Sequence, residues 1–166
     1  SDRLTTYRQI CAQVAREFNL IAVFMSKPYM GMPVNGCHHN VSLWQGGEDS
    51  LVPLVDDPIP GMEDNFLYRS GGENKFRDTN ETWLPTELGR WCLGGMIHHL
   101  NALVAIGAST VNSYRRLNDT GMWAPVGASW GLQNRSCAIR VSSPDRFEFR
   151  CVDSMVNPYL MQGALL

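Results

Sequence analysis

Met25–Trp44, MSKPYMGMPVNGCHHNVSLW, is the stretch on which the other segments depend. Its last third alternates. If it is a strand, Cys37, His39, Val41 and Leu43 point one way and His38, Asn40, Ser42 and Trp44 the other. One face then offers an imidazole, an amide and a hydroxyl in a row. Polar groups on a buried strand cost free energy unless partnered, so such a row meets a ligand, a metal or a wet cavity. The Gly- and Pro-rich segment before it reads as a loop at the cavity mouth. The competing reading is an edge strand with its polar side in water.

Upstream, Ser1-Asp2 suits a helix N-cap, and Leu4, Tyr7, Cys11, Val14 and Phe18 repeat at spacings of three and four, predicting an amphipathic helix that Asn19 closes. Leu20–Met25, LIAVFM, predicts a strand covered on both faces. Downstream, residues 45–82 are broken by glycines and prolines and predict short hairpin strands with surface loop, including Phe66-Leu67-Tyr68-Arg69. Pro85 opens a second helix with Leu88, Trp91, Cys92, Gly95, Met96, His99, Leu100, Leu103 and Val104 along one side. His98 and His99 are neighbours about 100° apart on it, so they do not chelate one metal together. After Gly107, residues 110–117 leave the helix and deliver Arg115, read as solvated, and Arg116, the better functional candidate.

The clearest periodic signal is Arg146-Phe-Glu-Phe-Arg-Cys151. A strand there sets Arg146, Glu148 and Arg150 on one face and Phe147, Phe149 and Cys151 in a core. The charged face is either an internal ion-pair ladder or a ligand surface. Together with Arg116, Arg135 and Arg140 it suits a ligand with several negative charges.

Composition bounds the rest. With 166 residues and 44% hydrophobic content the chain is long enough for a core of its own. Fourteen basic against sixteen acidic residues, without a basic block, argue against a nucleic-acid or membrane-surface partner, and no apolar run approaches a membrane span. The five cysteines, Cys11, Cys37, Cys92, Cys137 and Cys151, form no CxxC pair and read as reduced thiols of a cytoplasmic protein.

Lys27-Pro28-Tyr29, the short Gly/Pro loop, Asn35-Gly36 and CHHNVS from Cys37 to Ser42 resemble the ATP-region signature of glutamine synthetases. NSYRRL from Asn112, Ala124-Pro125-Val126, Asn134-Arg135-Ser136, Arg140, Arg146-Phe-Glu-Phe-Arg150 and Asn157-Pro-Tyr-Leu160 continue the resemblance through essentially the whole chain, more weakly over 45–82. It implies an α+β fold: part of a catalytic barrel of mostly antiparallel strands backed by helices. Residues 1–166 would be the C-terminal portion of the catalytic domain, without its first half or the β-rich N-terminal domain. From the residues alone the claim is only mixed α and β.

By the same resemblance His38 and Glu148 are ligands of Mg²⁺ or Mn²⁺, and His38 also lines the glutamate pocket. Asn40 and Ser42 face the nucleoside of ATP, and Arg140 and Arg146 its phosphates. Arg135 is the catalytic arginine on the transferred phosphoryl group. Asn35, Gly36, Arg116, Arg135 and Arg150 bind glutamate. The implied reaction is ATP-dependent: the γ-carboxylate of glutamate becomes an acyl phosphate, which ammonia or an amine attacks. The implied assembly is a cytoplasmic, ring-forming homo-oligomer, with the isolated portion inactive. Two departures stand out. The glycine run before His38 is shorter than in bacterial members, and Trp123 stands where ammonia-using members carry an acid. Trp123 opens the alternative of a γ-glutamyl ligase for a larger amine such as an alkylamine or polyamine. A further alternative is a non-catalytic structural relative.

Overall fold

The computed structural model describes residues 1–46, 48–51, 67–70, 72–78, 80, 83–118 and 124–166. Its centre is a sheet of four strands in the order β1 (His39–Val41), β8 (Arg146–Phe149), β7 (Ile139–Ser143), β6 (Trp130–Leu132). β8 pairs antiparallel with both β1 and β7, and β7 pairs parallel with β6. β2 (Trp44–Gln45) pairs with β5 (Glu73–Asn74), and β3 (Glu48–Leu51) with β4 (Leu67–Ser70), both antiparallel. These short pairs are the hairpin strands expected between 45 and 82; Phe66 lies outside the described residues. The α+β class holds, with mostly antiparallel strands backed by helices.

The two-residue period of β8 sets the layers. Phe147 and Phe149, with Ile139 and Val141 of β7, are fully buried on one face. Leu93 of α2 (Glu87–His98), Leu100 and Leu103 of α3 (Leu100–Gly107) and Met161 of α5 (Pro158–Leu165) cover them. Each such side chain contributes about 1.5–3 kcal/mol by leaving water. Phe76 stacks on Phe147 with ring centroids 4.3 Å apart. Gly89 lets α2 approach this closely: a Cβ there would stand 2.8 Å from Pro85 Cβ and 3.3 Å from the Phe147 ring. The opposite face of β7 and β8 carries Arg140, Arg146 and Glu148.

Helix α1 (Asp2–Glu17) forms as expected, with Asp2 in its first turn, Arg16 in its last, and Asn19 left-handed at φ 56° just beyond. The Ser1 side chain makes no capping bond, and α1 buries none of its residues. Leu20–Met25 is not a covered strand. No strand among the described residues pairs with it, so its amides have no ladder to join, and Ile21 is 89% exposed.

The second predicted helix is two. It starts at Glu87, not at Pro85, because Thr86 accepts from the Gly89 amide at 3.1 Å, and it breaks at His99, which caps α2. Its buried stripe runs through Gly89, Leu93, Leu100 and Leu103, leaving Leu88 and Trp91 exposed, because Phe147 sets which side faces the sheet. Nor do residues 110–117 leave helix: α4 spans Val111–Asn118. Thr110 and Ser113 cap it reciprocally, each side-chain oxygen accepting from the other's amide at 3.1–3.2 Å. Asn157 caps α5, accepting from the amides of Tyr159 and Leu160, with Pro158 in the first turn. Among the described residues no helix is long and apolar enough to cross a membrane.

Candidate active site

The polar face of the sheet opens into a cavity of about 360 Å³ lined by Val34, Gly36, His38, Arg116, Arg135, Arg140, Glu148 and Arg150. Four chain segments deliver these side chains. The residues leading into β1 bring Gly36 and His38, α4 brings Arg116, the β6–β7 turn brings Arg135, and β7, β8 and the residue just after β8 bring Arg140, Glu148 and Arg150.

Glu148, 7% exposed, is the hub. His38 Nδ1 lies 2.8 Å from its Oε1, Arg140 Nε 2.6 Å from its Oε2, and Arg150 Nη1 donates to both oxygens at 3.2 Å. Burial opposes the charged form of Glu148, but Arg150, His38 and Arg140 outweigh it and hold the carboxyl below the usual range. Burial, reinforced by Arg150, pushes the His38 imidazole below its ordinary value against the pull of Glu148. Near neutral pH the site therefore holds a carboxylate beside a neutral imidazole. With Nδ1–H donated to Glu148, Nε2 keeps its lone pair.

Arg116 is 1% exposed, and its Nη2 donates to the Arg150 carbonyl at 3.0 Å. Among the described residues its Nε and Nη1 have no hydrogen-bond partner. A buried guanidinium with unused donors on a cavity wall fits an anion. Burial lowers its affinity for the proton and the nearby Asp153 restores part of it. Gly36 leaves room here: a Cβ would sit 2.9 Å from His38 Nε2 and 3.1 Å from Arg116 Nη2.

The cavity thus brings together Gly36, His38, Arg116, Arg135, Arg140, Glu148 and Arg150, and leaves four candidates outside its lining. Asn35 stands just behind it, its Oδ1 accepting from Ser154 Oγ. Asn40 is exposed on β1, opposite Glu148 in register. Ser42 falls out of the expected polar row because β1 ends at Val41; it accepts from Trp44 Nε1 at 2.9 Å and faces a second, mainly apolar cavity of about 400 Å³ behind the sheet. Arg146 is exposed at the far end of β8, with its Nε 3.6 Å from Asp145. The ion-pair ladder exists in altered form, since Glu148 pairs across the sheet with Arg140 and along the chain with Arg150. Trp123 lies outside the described residues.

Neutral nitrogen and carboxylate oxygen are donors that suit Mg²⁺ or Mn²⁺, so the residues present fit part of a cation site. Among the described residues no group of three or more His, Cys, Asp or Glu gathers to hold a metal. Four arginines against one glutamate suit a polyanion beside the cation. All five cysteines are free thiols. Two buried residues escaped the sequence reading: Lys27, quoted only as part of a motif, and Asp153, whose charge acts on Arg116. The signal for Asp153 was an acid four residues past the end of an arginine-rich strand.

Residues 1–166 match the family described as glutamine synthetase, catalytic domain. The chain is 32% identical to the glutamine synthetase of Rhizobium meliloti (strain 1021), over all of this chain and 34% of that protein. It is 36% identical to the glutamine synthetase of Pyrococcus abyssi (strain GE5 / Orsay), over all of this chain and 32% of that protein. Among solved structures, an ADP complex of GmaS superposes with a TM-score of 0.74 at 30% identity, over 99% of this chain and 34% of that one. The Plasmodium falciparum glutamine synthetase gives 0.73 at 26%, over 99% and 28%. The chain spans about a third of the length of the curated relatives it matches. With the full-length family match and this level of identity, the chain belongs to the glutamine synthetase catalytic-domain family.

Proposed function

We propose that this chain is the C-terminal portion of the catalytic domain of an ATP-dependent carboxylate–amine ligase, one that activates the γ-carboxylate of glutamate as an acyl phosphate and joins it to ammonia or an amine. The observation that carries this reading is the meeting of His38 and Glu148 at 2.8 Å in a cavity ringed by four arginines. Phosphoryl transfer is catalysed mainly by positioning and charge neutralisation, and that residue set supplies both.

His38 and Glu148 would hold Mg²⁺ or Mn²⁺, which when bound offsets charge on the nucleotide phosphates. Arg140 has its guanidinium beside the cavity to neutralise phosphate oxygens, with Arg146 further out along the same face. Arg135, exposed on its turn, would reach over the transferred group. Arg116 and Arg150, on the inner wall with Gly36 and with Asn35 behind it, would orient the glutamate carboxylate. Asn40 would meet the nucleoside beyond the cavity rim, and Ser42 would reach it from past the end of β1. A cytoplasmic, ring-forming homo-oligomer, active as the whole assembly and inactive as this portion alone, completes the proposal.

The test is release of ADP and phosphate by the intact protein that carries this chain, with and without glutamate and amine. Turnover that needs both supports a ligase; ATP cleavage indifferent to glutamate, or none, contradicts it and favours a non-catalytic relative. Trp123 in place of an acid favours an amine larger or less polar than ammonia, because it exchanges a charge for apolar surface. Amines compared at saturating ATP and glutamate decide this, and preference for ammonia over every alkylamine or polyamine would refute it.

A further inference from the structure

Helix α4 touches the site twice. Arg116 reaches the cavity, and Asn112, one turn earlier on the same side of the helix, reaches the loop that carries the opposite wall. Asn112 Oδ1 accepts from the Lys27 amide and its Nδ2 donates to the Lys27 carbonyl, both at 2.7 Å. The loop from 26 to 35 is closed on itself: the Asn35 amide donates to the Ser26 carbonyl at 2.8 Å, and the Lys27 ammonium donates to the Met32 carbonyl inside it. Ser26 is fully buried and Lys27 is 3% exposed, with Ser26 Oγ 3.4 Å from Ser113 Oγ. Beyond the loop, the Cys37 amide donates to the Val152 carbonyl at 3.0 Å. Gly36 is therefore held on both sides, and its position relative to Arg116 is set by how the loop is seated on α4.

We propose that Asn112 is a positioning residue: its paired hydrogen bonds to the Lys27 backbone fix the spacing between the Gly36–His38 wall and Arg116, and through it the affinity for the substrate carboxylate. The proposal rests on reading the cavity as the glutamate site. An amide is the side chain that can accept from and donate to one backbone unit together. Alanine removes both bonds, and aspartate keeps only the acceptor. A purely local role would cost stability without changing which substrate is held.

The test uses the intact protein with Asn112→Ala, Asn112→Asp and, as control, Arg115→Ala on the exposed side of α4. Hydrogen exchange is followed at the Lys27 and Asn35 amides and at those of β7 and β8, and KM is measured separately for glutamate and ATP. In Asn112→Ala the loop amides exchange at least about tenfold faster with the sheet unchanged, and KM for glutamate rises about tenfold while KM for ATP stays within about twofold. Asn112→Asp, the milder change should alanine impair folding, falls between. Arg115→Ala matches wild type. Unchanged loop exchange overturns the link. Faster exchange with unaltered KM for glutamate reduces Asn112 to a structural residue and overturns the proposal. If the wild type shows no glutamate-dependent turnover, the ligase reading fails and takes the affinity half with it, whereas the exchange arm still decides whether Asn112 seats the loop.

Discussion

His38 Nδ1 lies 2.8 Å from Glu148 Oε1, joining the approach to the first sheet strand to a carboxylate 110 residues later in the chain. Two groups that chain order keeps far apart become neighbours because β1 pairs with β8. The antiparallel register puts His39 opposite Phe149 and leaves His38 beside the polar face. The carboxylate then serves as the shared counter-ion of the half-buried Arg140 and the buried Arg150.

Glu148→Gln keeps the shape and removes the charge, leaving Arg140 and Arg150 without their counter-ion. Breaking a buried pair in this way costs about 3 kcal/mol, and loss of a charged ligand weakens any divalent ion held there by about tenfold or more. Denaturant unfolding and Mn²⁺ titration of wild type and variant measure the two effects.

Gly36→Ala places a methyl group 2.9 Å from His38 Nε2 and 3.1 Å from Arg116 Nη2. The residue is exposed and nothing in the core depends on it, so the unfolding midpoint should stay close to wild type while kcat/KM for glutamate falls at least about tenfold. Steady-state kinetics beside a melting curve separate the outcomes.

Arg116→Lys keeps the charge but loses the planar fork, the bond to the Arg150 carbonyl and both unused donors. KM for glutamate should rise by about tenfold or more, whereas Arg115→Lys, on the exposed side of the same helix, should leave it unchanged. Parallel kinetics on the two variants check this.

Burial pushes the Cys151 thiol up to about 11, against the pull of Arg116 and Arg150. At pH 8 roughly one molecule in a thousand carries the thiolate, so alkylation of Cys151 should lag far behind that of an unfolded control. The native value lies above the unfolded one. The native state's advantage is therefore complete below about pH 9 and is lost as pH rises through about 11, by roughly 2–3 kcal/mol. Unfolding of wild type and Cys151→Ala compared from pH 8 to 11 should show a steeper fall in the wild type.

How much of this was legible depended on which partner decided each segment. Arg146–Cys151 could be read because β8 has unlike neighbours on its two faces, and the alternation records them. Cys37–Trp44 could be read only as far as Val41, where the pairing with β8 ends, so Ser42 left the row although its spacing placed it there. The apolar run Leu20–Met25 calls for a covering layer, and composition does not say where that layer lies. The turned face of α2 came from its packing at Gly89 against Phe147, a residue distant in sequence. Arg116 was found by its motif, but its burial and the role of Asp153 depend on how α4 meets the end of β8, which no local pattern encodes.

Calorimetric titration of ATP with Mg²⁺ into the intact protein, wild type against Arg140→Ala and Glu148→Gln, addresses the cavity most directly. The expected result is saturable binding that requires Mg²⁺ and weakens at least about tenfold in each variant. No binding by the wild type, or equal affinity in all three proteins, would contradict a nucleotide–metal site built on this sheet face.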